Sequence, residues 1–138
     1  MAFVPPKETF PGKVYSVTTG SAPTSITFGG ENVLPFHAFE GVSPNRPVIA
    51  YEIQDVPPNE WPETVQKPYK DVSGNPASWA KFCQDNLNAK AIALRLIGTH
   101  PDRENRSPEE AAQTVKEVLS SINIPLIILG SNHTEKDS

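Results

Sequence analysis

The polar side chains that could take part in chemistry follow three apolar runs, each about the length of a β-strand. If these runs are parallel strands joined by helices, the loops after their carboxyl ends collect at one edge of the sheet. These groups suit the binding of a polar ligand, but no nucleophile with a base and an orienting third group can be named among them. We therefore predict a ligand-facing rim without a catalytic residue, formed by Asp55, Thr99, His100, Ser131 and Asn132.

Two of the same loops also hold a candidate metal site. His100, Asp102 and His133 offer imidazole and carboxylate ligands, which suit zinc or iron. Their spacing fits no standard metal motif, and short polar loops of this kind more often cap the following helix. We assign no residue to a metal and keep a metal-dependent barrel hydrolase as an alternative.

Arg95 is the one charge inside the second apolar run, where a charge needs a partner. In a closed barrel Arg95 could point inward and pair with Glu52 of the neighbouring strand. Alternatively, Arg95 lies at a sheet edge and reaches water. His37 lies among aromatic residues and Cys83 on an apolar helix face, and we interpret both as structural residues.

A strand–helix repeat must position these residues. Asn75-Pro76 and Ser107-Pro108 each read as an N-cap followed by proline at the first helical position, and Ser107 with Glu110 predicts a capping box. Short runs that are mostly apolar suit parallel strands covered on both faces and joined by right-handed connections. The predicted strands are 48–54, 91–97 and 125–130, and the predicted helices are 76–88 and 108–122.

The first 45 residues follow a different pattern. Residues 13–19 and 25–28 are rich in β-branched and aromatic side chains, are separated by Gly20 and Pro23, and predict an antiparallel hairpin. Residues 34–39 predict an irregular, partly buried segment whose aromatic side chains cover a core. The fold class is therefore α/β, with a hairpin and cover segment at 1–45 and three strands with two helices at 46–138.

Composition excludes several classes of protein. The chain has 138 residues and a net charge of −4, without the basic stripe of a nucleic-acid or anionic-membrane surface. No apolar run is long enough to span a bilayer, and we expect a cytoplasmic protein. The single cysteine, Cys83, excludes a four-cysteine iron–sulfur cluster within this chain.

Several segments together resemble the small (delta) subunit of the corrinoid iron–sulfur protein of the acetyl-CoA decarbonylase/synthase, or CO dehydrogenase/acetyl-CoA synthase, complex. The resemblance covers the chain from about residue 26. The segments are GGENVLPFH at 29–37, LRLIGTHPD at 94–102 and PLIILG at 125–130, with shorter ones at 39–41, 45–49, 79–81, 107–111, 115–119 and 135–137.

This resemblance implies a (β/α)8 TIM barrel, of which the chain would supply the N-terminal hairpin and the first three βα units. It implies a role in the reductive acetyl-CoA pathway, in which a corrinoid carries a methyl group from methyltetrahydrofolate or a tetrahydropterin to acetyl-CoA synthase. The implied partner is a large subunit that holds the iron–sulfur cluster and most of the corrinoid site in a heterodimer. A methyltransferase and acetyl-CoA synthase would bind transiently.

The chain also resembles the pterin-binding methyltransferases of the same pathway, which is the second alternative. Those enzymes place acidic and amide groups at strand ends to hold the pterin. Here the second predicted strand ends at Gly98-Thr99 with no acid directly after it. We therefore favour a non-catalytic barrel subunit whose rim faces the corrinoid.

Overall fold

The structure is a computed structural model that describes residues 3, 4 and 6–138, and the chain divides into one unit up to Val48 and another from Ile49. The first unit contains the predicted hairpin. Strand β1 (Val17–Thr19) pairs antiparallel with β2 (Ile26–Phe28). Both strands are shorter than the apolar runs suggest, and outside them the Val14 amide donates to the Glu31 carbonyl at 2.8 Å.

The prediction of a partly buried aromatic segment at 34–39 is wrong. Two successive turns, closed by bonds from the His37 amide to Leu34 and from the Glu40 amide to His37, direct the side chains outward. Phe36 is fully exposed at a positive φ of 67°, and Phe39 is half exposed. His37 has a partner as expected, because its Nδ1 lies 2.9 Å from Glu40 Oε2.

The second unit contains a three-stranded sheet in the order β3-β4-β5, with both neighbouring pairs parallel, as predicted. The strands are β3 (Ala50–Gln54), β4 (Ala91–Arg95) and β5 (Leu126–Leu129). The helices are α1 (Glu63–Gln66), α2 (Pro76–Asn86), α3 (Pro108–Ser121) and α4 (Thr134–Asp137). This parallel sheet and the hairpin are what the structure shows, and the closed eight-stranded barrel stays a prediction.

Both long helices begin where their capping residues predict. Asn75 Oδ1 accepts a bond of 2.8 Å from the Ser78 amide at the start of α2. At the start of α3, Ser107 Oγ accepts from the Glu110 amide and Glu110 Oε2 accepts from the Ser107 amide, which completes the capping box. These bonds satisfy amides that have no partner within the helix.

The core of the second unit lies between one face of the sheet and the two long helices. Alternate strand residues, Ile92 and Leu94, contact Trp79 and Cys83 of α2 and Val118 of α3, and all are essentially inaccessible. Cys83 is therefore a core residue, as predicted. Both helices cover the same face, so the other face and the strand ends are left to form a site.

Strand β4 ends at Arg95, two residues earlier than predicted. Leu96 leaves the extended conformation at ψ 59°, and Ile97–Thr99 then form a 3-10 turn. The apolar run in the sequence therefore continues beyond the strand, and its last residue, Ile97, belongs to this turn. In the ranges that the structure describes, no helix is both long and apolar enough to cross a membrane.

Candidate functional site

The face of the sheet opposite the helices carries a pair of charges. Arg95 Nε lies 2.7 Å from Glu52 Oε1, and its Nη2 lies 3.1 Å from Oε2. Strand β4 is the central strand, so the predicted pairing is confirmed and the alternative of an edge position is wrong. The hydrogen bond from Arg95 lowers the pKa of Glu52.

Asp55, directly after β3, ties two strand-end loops together. Its side chain is fully buried; Oδ1 accepts from the Gly98 amide at 2.9 Å, and Oδ2 lies 3.4 Å from Arg106 Nη1. Burial raises the pKa of Asp55, while the Gly98 bond and the Arg106 charge partly oppose this rise. Arg106 Nη1 also donates to the Asp55 carbonyl at 3.1 Å. Asp55 therefore holds the site in shape and does not present its carboxylate to a ligand.

The loop after β4 is packed tightly against this carboxylate. A Cβ atom added at Gly98 would lie 2.8 Å from Asp55 Oδ2 and 3.1 Å from Val56 Cγ1, so only glycine fits without a shift. Thr99 is buried, and its Oγ1 donates to the Leu96 carbonyl at 2.8 Å. The Thr99 hydroxyl thus closes the 3-10 turn.

The loop after β5 is organised by Asp137. Its Oδ1 accepts from the amide and the hydroxyl of Ser131 at 2.8 and 2.9 Å, and its Oδ2 accepts from the Asn132 amide at 2.8 Å. These bonds, led by the one from the Ser131 amide, lower the pKa of Asp137. Ser131 is buried, whereas Asn132 is exposed at a positive φ of 70°.

The two histidines of the candidate metal site are neighbours. The rings of His100 and His133 meet edge to face, with 5.3 Å between their centroids, and the buried His133 Nδ1 finds no hydrogen-bond partner in the part of the chain that the structure describes. Asp102 Oδ2 lies 3.9 Å from His100 Nδ1. Among the described residues, however, no three His, Cys, Asp or Glu side chains are placed to hold a metal ion. The structure therefore gives the metal-dependent hydrolase no support.

The five predicted rim residues all follow the carboxyl ends of the parallel strands and so belong to one edge of the sheet. The side chains of Asp55, Thr99 and Ser131 are buried and bound within the protein. Only His100 and Asn132 keep side-chain surface at this edge. That this rim faces a corrinoid stays a prediction, but buried groups cannot be its ligand contacts.

Sequence reasoning missed a pocket at this edge. The strand-end pocket has a volume of about 390 Å³ and lies between the loops after β3 and β4. Bidentate hydrogen bonds join the Arg103 guanidinium to the Glu60 carboxylate, which stands 43 residues earlier in the chain. In the sequence, the only indication of this pocket was a polar residue, Gln54, at the end of a predicted strand. Its lining includes Gln54, Asn59, Glu60, Trp61, Ile97 and Arg103.

The positive charges around the pocket are all neutralised by the protein itself. Arg95 binds Glu52, Arg103 binds Glu60, and Arg106 binds Asp55 and Glu104. These are all the arginines of the second unit, every residue of which the structure describes. The arrangement therefore offers no free guanidinium to an anionic ligand.

Comparison with known proteins identifies relatives of the whole chain. The model of a protein family described as the CO dehydrogenase/acetyl-CoA synthase delta subunit matches residues 16–136. Acetyl-CoA decarbonylase/synthase complex subunit delta of Methanothermobacter thermautotrophicus is 35% identical over 136 residues, which are 98% of this chain and 34% of the relative.

Two further relatives have the same name. Those of Archaeoglobus fulgidus and Methanocaldococcus jannaschii are 34% and 32% identical over 142 and 139 residues. These regions cover 98% and 96% of this chain but 31% and 34% of the relatives. The chain thus spans about a third of the length of the curated relatives it matches.

Proposed function

The chain belongs to the CO dehydrogenase/acetyl-CoA synthase delta subunit family, and from this premise we propose that it is part of the small subunit of a corrinoid iron–sulfur protein. In this proposal the chain is a barrel scaffold that shields and positions a corrinoid held mainly by a larger subunit. The observation that carries the proposal is the family match over residues 16–136.

When bound, a corrinoid would supply the cobalt chemistry for the transfer of a methyl group from methyltetrahydrofolate or a tetrahydropterin to acetyl-CoA synthase. The residues of this chain would bind and orient the ring and keep water from it. Carbon–cobalt chemistry belongs to the cofactor, whereas binding and orientation belong to the protein. Corrinoid rings carry amide side chains at their edge, which need hydrogen-bond donors and acceptors. The exposed Asn132 and the lining of the strand-end pocket offer such groups.

The chemistry of the edge supports a scaffold rather than an enzyme. Its carboxylates and guanidinium groups bind one another and thereby fix the loops. The one thiol is also unsuited to nucleophilic attack, because burial raises the pKa of Cys83 to about 11 and keeps it protonated at neutral pH. This arrangement holds a surface in a fixed shape, as the positioning of a partner's cofactor requires.

The proposed stable partner is the large subunit that carries the corrinoid and the iron–sulfur cluster. The relatives are named as subunits of a complex, which supports a role in assembly with other subunits. The methyltransferase and acetyl-CoA synthase would meet this heterodimer transiently. Cys83 lies in the core, so a cluster of the heterodimer would be bound by the partner.

Co-purification tests this proposal. The tagged chain is mixed with the corrinoid-loaded large subunit, and the cobalt and iron that elute with the tag are measured. We expect both metals to be retained in the ratio found in the large subunit. Elution of the tagged chain without cobalt would contradict the proposal. Saturable binding of methyltetrahydrofolate to the tagged chain alone would instead favour the pterin-binding methyltransferase.

A further inference from the structure

A loop of the first unit, residues 32–42, is closed at its base and presents apolar side chains at its tip. The Asn32 amide donates to the Val42 carbonyl at 3.2 Å, and the Val42 amide donates to Asn32 Oδ1 at 2.8 Å. Between these ends, the two successive turns described above fold residues 34–40. Loops whose ends meet in this way are compact and frequently functional. We call residues 32–42 the apolar loop.

Phe36 lies at the tip of the apolar loop in an unfavourable state. Its side chain is fully exposed, and its backbone has a φ of 67°, which a bulky residue rarely adopts. Neither burial nor backbone preference within this chain accounts for such an arrangement. Backbone strain of this kind persists where the surrounding structure imposes it, and it clusters at functional sites. The loop therefore holds an aromatic side chain away from the protein.

The surface around Phe36 presents almost no charge. Residues 32–42 contain no lysine or arginine, and Glu40 is their one acidic residue. The Glu40 side chain is only 7% exposed, and both of its oxygens are bound. Its Oε2 lies 2.9 Å from His37 Nδ1, and its Oε1 accepts from the Glu8 amide at 3.1 Å. The carboxylate is thus folded away from the exposed side of the loop.

Further apolar side chains surround the tip. Leu34, Phe39 and Val42 are each about half exposed or more. In the described part of the first unit no residue is fully buried, so this unit contains no core that could receive them. An exposed apolar patch of this kind marks a surface that another molecule covers.

The lack of charge indicates the kind of partner. A nucleic acid or an anionic membrane would require basic side chains, which the apolar loop does not have. An uncharged apolar pocket in a protein suits it, since the centres of protein interfaces are enriched in aromatic residues and depleted of charged ones. A stable interface takes about 20–30 residues from each side. The apolar loop is shorter than that, so it would serve as an anchor within a larger contact.

We propose that the apolar loop inserts Phe36 into an uncharged apolar pocket of another protein subunit. This inference rests on the proposed function, in which that subunit is the large subunit of the heterodimer. It adds a contact in the first unit, outside the parallel sheet and its strand ends. Because the loop is already closed by its own hydrogen bonds, little further ordering is needed on binding.

Phe36→Asn tests the inference in the heterodimer. Asparagine adopts a positive φ more readily than phenylalanine, so this variant removes the aromatic ring without adding backbone strain. The corrinoid-loaded large subunit is titrated onto the immobilised tagged chain. We expect a dissociation constant at least about tenfold higher for Phe36→Asn than for the parent, with an unfolding midpoint no lower than that of the parent. An unchanged dissociation constant would overturn the proposal.

Phe3→Asn is the matched control. Phe3 is also largely exposed, but it lies outside the apolar loop and outside every described strand and helix. We expect its dissociation constant to stay within about twofold of that of the parent. Equal losses for the two variants would show that exposed phenylalanine in general, and not this loop, contributes to binding, and would overturn the proposal.

Salt dependence tests the chemistry of the pocket. Salt screens charges, whereas the proposed contact of Phe36 contains none. The ratio of the dissociation constants of Phe36→Asn and the parent should therefore be the same in about 0.05 M and about 0.5 M sodium chloride. A ratio that falls towards one at the higher concentration would contradict an uncharged pocket.

Other occupants of the loop give different results. Analytical ultracentrifugation of the chain alone detects self-association, and co-sedimentation with phosphatidylcholine vesicles detects binding to lipid. Either one, if Phe36→Asn abolishes it, would assign the loop to a second copy or to a lipid surface and overturn the proposal. Failure of the parent chain to bind the large subunit overturns the proposed function and this inference together. Equal binding by the parent and Phe36→Asn overturns this inference alone.

Discussion

Arg95 and Glu52 are joined by two hydrogen bonds, of 2.7 and 3.1 Å, between the central strand β4 and its neighbour β3. The two residues stand 43 positions apart in the chain, and their pairing leaves Arg95 with a quarter of its side chain exposed. The face that carries them is the one that would line the interior of a closed barrel. The charge of Arg95 is tolerated on this face because the parallel register of β3 and β4 places Glu52 beside it.

The first prediction concerns this pair. Glu52→Gln should lower the free energy of unfolding by about 1 kcal/mol, because it leaves a partly desolvated guanidinium without its carboxylate. Urea unfolding monitored by circular dichroism measures the change. Glu117→Gln removes the same charge from the exposed face of α3, keeps an acceptor for Gln113 and should stay within about 0.5 kcal/mol. Equal effects of the two substitutions would show that the Arg95 pair is not formed.

The second prediction concerns the opposite pKa shifts of Glu52, within β3, and Asp55, directly after it. Burial raises the pKa of Asp55 above 3.8, and the Arg95 hydrogen bond lowers the pKa of Glu52 below 4.5. Because its pKa is raised, Asp55 binds its proton more tightly in the folded than in the unfolded protein. The proton therefore adds to the free energy of unfolding. This contribution is complete below pH 3.8 and is lost as the pH rises through the pKa of the folded state.

Titration of the side-chain carboxyl carbons by NMR measures both values. We expect the midpoint of Asp55 above 3.8 and that of Glu52 below 4.5. Asp55→Asn should remove the part of the pH dependence of unfolding that lies just above pH 3.8. A midpoint of Asp55 at or below 3.8 would contradict the account of this buried carboxylate.

The third prediction concerns Gly98. Gly98→Ala places a methyl group 2.8 Å from the buried Asp55 Oδ2, so it should destabilise the protein by about 1–3 kcal/mol. At Gly74 an added methyl group would meet nothing within 4 Å. Gly74→Ala should therefore be neutral or stabilise by about 0.4–1 kcal/mol. Chemical unfolding of both variants provides the comparison, and a neutral Gly98→Ala would mean that the two loops are not packed as described.

The fourth prediction concerns the start of α3. Ser107→Ala removes the side chain that accepts the Glu110 amide bond and should cost about 1 kcal/mol. Ser120→Ala is the control, since the Ser120 hydroxyl only bonds back to the Glu117 carbonyl within the same helix. The shift in denaturant midpoint should be clearly larger for Ser107→Ala, and two equal shifts would show that the cap contributes nothing.

Local signals in the sequence were sufficient for the three strands and the two long helices of the second unit, but not for the short helices α1 and α4. Caps at Asn75 and Ser107 specify helix starts because their bonds join residues three positions apart. The apolar runs predicted the three parallel strands, and the isolated charge of Arg95 predicted its partner. The caps are contacts between residues close in sequence, and the Arg95 pair follows from the pairing of neighbouring parallel strands.

The site was less predictable, because its contacts depend on how the loops fold back. The tie between Asp55 and the Gly98 amide joins residues 43 positions apart, as does the pair of Arg103 and Glu60. No periodicity or cap encodes such contacts. The burial of Thr99 and Ser131 could not be anticipated either, since it follows from turns that begin after the strands end.

Hydrogen exchange in the presence of the corrinoid-loaded large subunit tests the central claim most directly. The account predicts slower amide exchange in the loops at the carboxyl edge of the sheet, residues 55–61, 97–106 and 130–133. Exchange at the amino edge, residues 87–90 and 122–125, should stay unchanged. Protection at the amino edge with no change at the carboxyl edge would contradict the claim that this chain presents its strand-end loops to the corrinoid.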